Sequence, residues 1–353
     1  MSRWIATGIR VISPIALAFI LGFILFAGAG YDIAEVINGL WQGAVAAPGS
    51  LEQSVRWAIP LAIISFGIVI TLRTGEFNIG AQGQILLGGL GAASVALLLP
   101  DWSPFLVIPL ALLAGIIGGA LWSAIAGLLK VWFNADEVIN TLMLNFIAAL
   151  LIQWVTTGPL KDDATRGETA STPRVDRMFR LSDGTGVSLE LIAIVVIAAL
   201  LAWIIIERSP FGLKSKLVGS SPRVAAWQGL QIKRIHITTY LLTGAFAGLA
   251  GALEVLGPSA RLVTGATPTL GFTAIVVAIV GMLRVPGALL AALFFGGLQA
   301  AILFLPIVSR LPSSGLRIIE GLVALLITAQ FVWLRRRHNR RKESISAGAE
   351  SEP

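Results

Sequence analysis

Two polar runs interrupt an otherwise apolar chain, and both hold residue types that could carry a proton, bind an ion or replace the hydration of a solute. The first, Arg73-Thr-Gly-Glu-Phe-Asn-Ile-Gly-Ala-Gln-Gly-Gln84, combines Glu76 with the amides Asn78, Gln82 and Gln84 and three glycines. A break of this composition between apolar stretches reads as a discontinuous or re-entrant segment whose freed backbone and amides line a cavity, or as a plain hairpin turn. The second, Asn134-Ala-Asp-Glu-Val-Ile-Asn-Thr-Leu-Met-Leu-Asn145, sets Glu137, Thr141 and Asn145 at four-residue steps. That spacing puts them on one helical face, with Asn140 near it, facing protein or a hydrophilic pathway. Glu254 is a third, isolated acid. Ionisable and amide groups are costly in hydrocarbon, so all nine residues are candidates for a solute pathway. The plainer reading of Asp136-Glu137 is a pair of helix-start acids near a positive dipole end, and that of Glu254 a helix-end acid reaching water.

Covalent chemistry finds no candidates. The chain has no Cys, and its two histidines, His236 and His338, cannot build an imidazole-rich metal centre. No G-x-x-x-x-G-K-[ST] loop occurs, nor any Gly-Lys dipeptide, so the chain does not hydrolyse ATP by itself. H-E-x-x-H and G-x-S-x-G are absent too. Gly88-Gly89-Leu90-Gly91 lies inside an apolar run with no strand before it, which removes it as a nucleotide loop. No cofactor is expected.

The elements that must position the polar runs follow from composition. Of 353 residues, 56% are hydrophobic and only 13% charged, against about 25% charged in soluble domains. So little charge cannot cover a water-facing surface, and lipid must be the solvent for most of the exterior. The net charge of +7 falls in short runs between apolar stretches, which speaks for a membrane protein and against a nucleic-acid partner. Windows of about 20 apolar residues give about ten spans: 11–30, 57–72, 79–99, 105–129, 138–157, 188–206, 237–257, 269–283, 286–305 and 315–334. The second and eighth are short, and the first, despite its basic leader, reads as a retained span. Without the alternation of a lipid-facing barrel, the expected fold class is all-α, a polytopic transmembrane helical bundle.

Sidedness follows from Lys and Arg. The stretch Glu207–Arg234 is strongly basic, as is the tail from Arg335 to Lys342, so both are expected in the cytoplasm. Residues 158–187 mix both signs and are expected on the opposite side. Ten spans with both termini cytoplasmic satisfy all three, leaving Arg310 and Arg317 as small violations. The expected organisation is one transmembrane domain over 1–334, with 158–187 an extracytoplasmic loop and 207–236 a cytoplasmic segment, then a basic cytoplasmic tail over 335–353. Gly115-x-x-x-Gly119 and Gly244-x-x-x-Gly248 read as packing seams. Ser221 before Pro222 starts a short helix that Gly229 ends, suited to dock in a partner or to lie at the interface.

Four runs together resemble a known family. They are E-F-N-I-G-A-Q-G-Q-I-L-L-G from Glu76, A-D-E-V-I-N-T-L-M-L-N-F-I-A from Ala135, G-x-x-P-x-x-A-x-x-x-G from Gly219 and T-G-A-F-A-G-L-A-G-A-L-E-V-L-G from Thr243. In this order they resemble the membrane permeases of ABC importers for nucleosides and simple sugars (ribose- and branched-chain-amino-acid-permease-like), the nucleoside branch most closely. The resemblance covers about residues 73–287. It implies a multi-pass subunit of the cell (inner, cytoplasmic) membrane that forms half of a translocation pathway and catalyses nothing covalent. It also implies partners: an ABC ATPase, often with two nucleotide-binding domains in one chain, a second related permease, and a substrate-binding lipoprotein or periplasmic protein. On this resemblance 207–236 is the coupling segment, with Gly219, Pro222, Ala225, Ala226 and Gly229 at the positions that meet the ATPase, on a surface expected to be water-exposed. Loop 158–187 resembles the longer of two permease types. Gln82 departs from the family, which commonly has glutamate there. The competing class is an ion-coupled secondary transporter or channel for a small polar solute, with Glu76, Glu137 or Glu254 coupling to the ion.

Overall fold

The computed structural model describes residues 2–162, 170–182, 186–265, 269–312, 314–327 and 329–330. Among them the regular structure is helical, apart from one isolated bridge between Ser171 and Val263. In order, the helices are α1 (Ser2–Gly28), α2 (Ile33–Trp41), α3 (Ser50–Thr74), α4 (Ala81–Leu98), α5 (Pro104–Phe133) and α6 (Glu137–Thr157). There follow α7 (Leu189–Trp203), α8 (Pro210–Ser220), α9 (Pro222–Trp227), α10 (Ile232–Leu256), α11 (Leu270–Val280) and α12 (Val285–Val308). A wider π turn, Ile204–Arg208, continues α7, and residues 314–327 are helical as well.

Seven of the described helices are long and apolar enough to cross a bilayer: α3, α4, α5, α6, α7 with its π turn, α10 and α12. The eighth expected span is the 11-residue helix α11, too short to cross a hydrocarbon core of about 30 Å at 1.5 Å per residue. The expected second span is longer than its apolar run, since α3 starts at Ser50 and carries Glu52, Gln53 and Arg56 in its first turns. Helix α2 was not anticipated. It is short, and Asp32 caps it by accepting from the Ala34 N–H at 2.8 Å. Of the last expected span, residues 331–334 lie outside the described residues, as does the tail 335–353.

Two compact units make up the chain. In the smaller, Met1–Gly43 with Ala301–Pro353, Gly22 of α1 faces Ile319 and Gly39 of α2 faces Leu305 and Val308. The larger, Ala44–Ala300, contains both polar runs. Its inner helices are α3 and α10, 78% and 72% buried over their apolar windows, whereas α5 and α7 are 22% buried. The outer helices show their apolar side to lipid in stripes at helical spacing, such as Leu113, Ile117, Leu121 and Ile125 of α5.

A glycine seam holds α4, α5 and α10 together. Gly119 lies against the Gly244 carbonyl and Gly248, Gly248 lies against the Gly115 carbonyl, and Gly88 of α4 meets Gly248 from a third side. A methyl group at any of these positions would collide with backbone, so both expected small-residue pairs are packing seams.

Candidate functional site

The first polar run is a true break in the helical structure. Gly75, at φ 83°, ends α3 in a left-handed cap, with Glu76 N–H bonded to Thr71 O at 3.0 Å. Residues 76–79 have no regular structure before α4 begins. Glu76 turns inward and is 4% exposed. Lys130, in the last turn of α5, forms ion pairs with both Glu76 and Glu137. His236 Nδ1 approaches Glu76 Oε1 at 2.8 Å, and the Tyr240 hydroxyl donates to Glu76 Oε2 at 3.4 Å. One cluster thus ties the break to α5, α6 and α10.

Beyond Glu76, the amides bond mainly to backbone. Asn78 Oδ1 accepts from Gly80 N–H at 2.8 Å and from Gln84 Nε2 at 3.4 Å, while Gln84 Nε2 also reaches Ser123 Oγ at 3.1 Å. Asn145 accepts from Gly83 N–H at 2.8 Å and donates to Ile79 O at 3.0 Å. Thr141 Oγ1 accepts from Ile79 N–H at 3.2 Å, and Gln82 Oε1 accepts from Gly271 N–H at 3.0 Å. Hence Thr141 and Asn145 face protein, where they satisfy backbone groups freed by the break, while Glu137 on the same face pairs with Lys130. Asp136 caps α6 by accepting from Ile139 N–H at 3.0 Å, as expected of a helix-start acid. Asn78 Nδ2, Gln84 Oε1 and Asn140 Nδ2 have no hydrogen-bond partner among the described residues. Beside the break, Gln82 and Asn145 also line a cavity of about 200 Å³ with Leu86, Leu142, Phe146 and Phe272.

Glu254 is not part of this cluster. It pairs with Arg56 at 3.0 Å near the N-terminal end of α3 and accepts from Ser259 Oγ at 2.7 Å.

Segment 207–236, expected from the resemblance to couple to an ATPase, contains two short helices, α8 and α9. Ser221 Oγ accepts from Val224 N–H at 3.5 Å to cap α9, Pro222 occupies its first turn, and Gly229, at φ 73°, ends it. Pro222, Ala226 and Gly229 are exposed and Trp227 is 83% exposed. Ala225 corrects the expectation of a water-facing surface: it is fully buried, packed in a cluster with Val218 and Ile235. Adjacent helical residues point about 100° apart, so only one of Ala225 and Ala226 can face a partner. Gly219 lies at the other end of the segment, directly against the Arg73 carbonyl and Gly75. No side chain fits between them, so the segment and the polar break touch backbone to backbone.

Lys130, His236 and Tyr240 were missed in the sequence because each stands alone in or beside an apolar run. Their signal was position: all three lie close to an end of an expected span, where one partner on another helix suffices.

Residues 50–329 match the family described as branched-chain amino acid transport system / permease component. The chain belongs to this permease family. It is 32% identical to the guanosine ABC transporter permease protein NupP of Bacillus subtilis, over 90% of this chain and 92% of that protein. It is 30% identical to the nucleoside ABC transporter permease protein NupB of Lactococcus lactis, covering 81% of each. A glucose ABC transporter permease protein of Haloferax volcanii, TsgB13, is 29% identical over 93% of this chain and 89% of its own length. No solved structure matches the chain significantly. The permease is a multi-pass membrane protein and a transport component of an ABC importer, not an enzyme.

Proposed function

We propose that this permease forms half of the path by which an ATP-driven importer takes up nucleosides, in the cell (inner) membrane, with the basic 207–236 segment cytoplasmic. The 207–236 segment then faces an ABC ATPase, which can be a double-domain chain, and 158–187 faces a substrate-binding lipoprotein or periplasmic protein. A second related permease supplies the other half of the path. Nucleosides are favoured over free sugars by two relatives, the guanosine permease NupP and the nucleoside permease NupB. The pathway amides are Asn78, Gln82, Gln84 and Asn140; Glu76, Glu137, Thr141 and Asn145 hold the break that lines the path, while Glu254 serves as an ion-pair clamp. Neutral amides suit an uncharged solute, whose hydroxyls would each cost several kcal/mol if left without partners.

The observation that carries this reading is the backbone contact of Gly219 with Arg73 and Gly75. It supplies a route from a docked partner on Pro222, Ala226 and Gly229 to the polar break, with Ala225 holding the docking helix to α8 and α10. Ion coupling is disfavoured because Glu254 is paired with Arg56 and because Glu76 and Glu137 share Lys130, with His236 also beside Glu76.

The test uses the whole transporter in vesicles. Trp227→Cys should cross-link to the ATPase, and Ala226→Glu should abolish ATP-dependent nucleoside uptake while the permease still inserts. Uptake that persists without any ATPase, or normal uptake by Ala226→Glu, would overturn the reading. Sidedness is checked with single cysteines, for which the Cys-free chain gives no background: Met178→Cys, 45% exposed, should react with an impermeant reagent from outside, and Lys214→Cys should not.

A further inference from the structure

At the end of α7 a cavity of about 640 Å³ is lined by Arg73, Arg208, Lys216 and Arg284 against a single acid, Glu207. Its cations are not equivalent. Arg73 donates from Nε to Leu283 O at 2.8 Å and pairs with Glu207 at 2.5 Å. Arg208 stacks 4.8 Å over the Trp203 ring. Lys216 and Arg284 are exposed and have no side-chain hydrogen bond or ion pair among the described residues. The turn that carries Arg284 is held in an unusual backbone, with Met282 and Leu283 both left-handed at φ 55° and 56°. Arg73 fastens that turn through the Leu283 carbonyl. After its one internal pair, the cavity keeps an excess of positive charge.

We propose that this cavity binds the phosphate of an anionic phospholipid headgroup. Its position selects lipid over other anions. Trp203 lines it and continues the outer face of the α7 span, where Val196, Ile197, Leu200, Leu201 and Ile204 are exposed. A lipid lying on that face reaches the cavity with its headgroup while its chains stay on apolar side chains. Trp203 is an interfacial aromatic of the kind that sits at headgroup level. Arg73 and Arg208 are oriented by their partners, and Lys216 and Arg284 remain to meet the ligand's charge.

The experiment uses the assembled transporter, stripped of lipid in neutral detergent. It is titrated with short-chain phosphatidylglycerol, with phosphatidylcholine and with inorganic phosphate, and bound species are counted by native mass spectrometry. Phosphatidylglycerol should be retained in preference to phosphatidylcholine, less so as salt is raised. Lys216→Gln with Arg284→Gln should weaken it about thirtyfold, at one cation's worth of surface attraction each, and Lys216→Arg alone should not. Both side chains are exposed, so the double variant should fold, and its unchanged thermal midpoint is the control. Equal retention of the two lipids, or unchanged affinity in the double variant, would overturn the proposal. So would displacement of the lipid by inorganic phosphate at matching concentration, which would make this a free-phosphate site. Binding to the isolated permease but not to the assembled transporter would also overturn it, since a protein partner would then cover the cavity.

Discussion

At one end of the α3–α10 pair, Arg56 and Glu254 meet as a single ion pair with Ser259 beside them. At the other end, Glu76 is shared by Lys130, His236 and Tyr240, and Lys130 is shared again with Glu137. The same two helices are thus closed by a clamp that involves nothing else and by a junction that reaches α5, α6 and the break. The junction is also the end from which α10 runs back into α9, the helix proposed to dock on the ATPase. Redundant charges at one end and a lone pair at the other separate a joint that transmits from a joint that only holds.

The largest expected effect comes from removing the shared cation. Lys130→Met leaves buried Glu76 with only His236 and Tyr240 and half-buried Glu137 without its cation, and should cost about 3–5 kcal/mol, read as a lowered thermal midpoint of the purified permease. Should Lys130→Met prove as stable as wild type, the junction is not held by charge. Next is Asn145→Leu, which strands the Gly83 N–H and the Ile79 carbonyl. Each stranded group costs about 1–3 kcal/mol, so this variant should lose stability along with transport. A variant that keeps full stability and loses only transport would mark Asn145 as a solute contact instead. Arg56→Met should cost about 1.5–3 kcal/mol, because it takes the cation from one acid and not two while Ser259 still serves Glu254. Its transport per folded molecule should stay near normal, and a loss as large as that of Lys130→Met would erase the distinction between the ends. Smallest is Tyr240→Phe, which gives up one long hydrogen bond worth about 0.5–1.5 kcal/mol. Comparing its stability with its uptake in a double-mutant cycle with Lys130→Met would show whether the junction acts as a unit.

Helix positions were largely legible in the sequence because a long apolar run has few other ways to satisfy its backbone. What escaped were elements that do not obey the length rule. Helix α2 is too short for a span, α11 is apolar but stops at Gly281, and the charged first turns of α3 hid its start. In the site, spacing correctly put Glu137, Thr141 and Asn145 on one face, since helical geometry alone decides that. It could not reveal that the face binds the backbone of Ile79 and Gly83, because those contacts depend on where the break lies against α6. Lys130 was passed over for the same reason: its two acids come from different elements. Ala225 was expected on the outer surface because the motif fixes positions along the chain, not directions around the helix.

The glycine seam of α4, α5 and α10 has a mechanical consequence. Sliding between packed helices is normally absorbed by side chains changing rotamer, and Gly88, Gly115, Gly119, Gly244 and Gly248 have no side chain to change. Backbone rests on backbone there, so the three helices lack the bearing surface that slip requires and turn as one block. Bending is then expected where the α-helical ladder is interrupted, as in the stretch after Gly75 and the π turn Ile204–Arg208, the candidate flexures of an otherwise stiff frame.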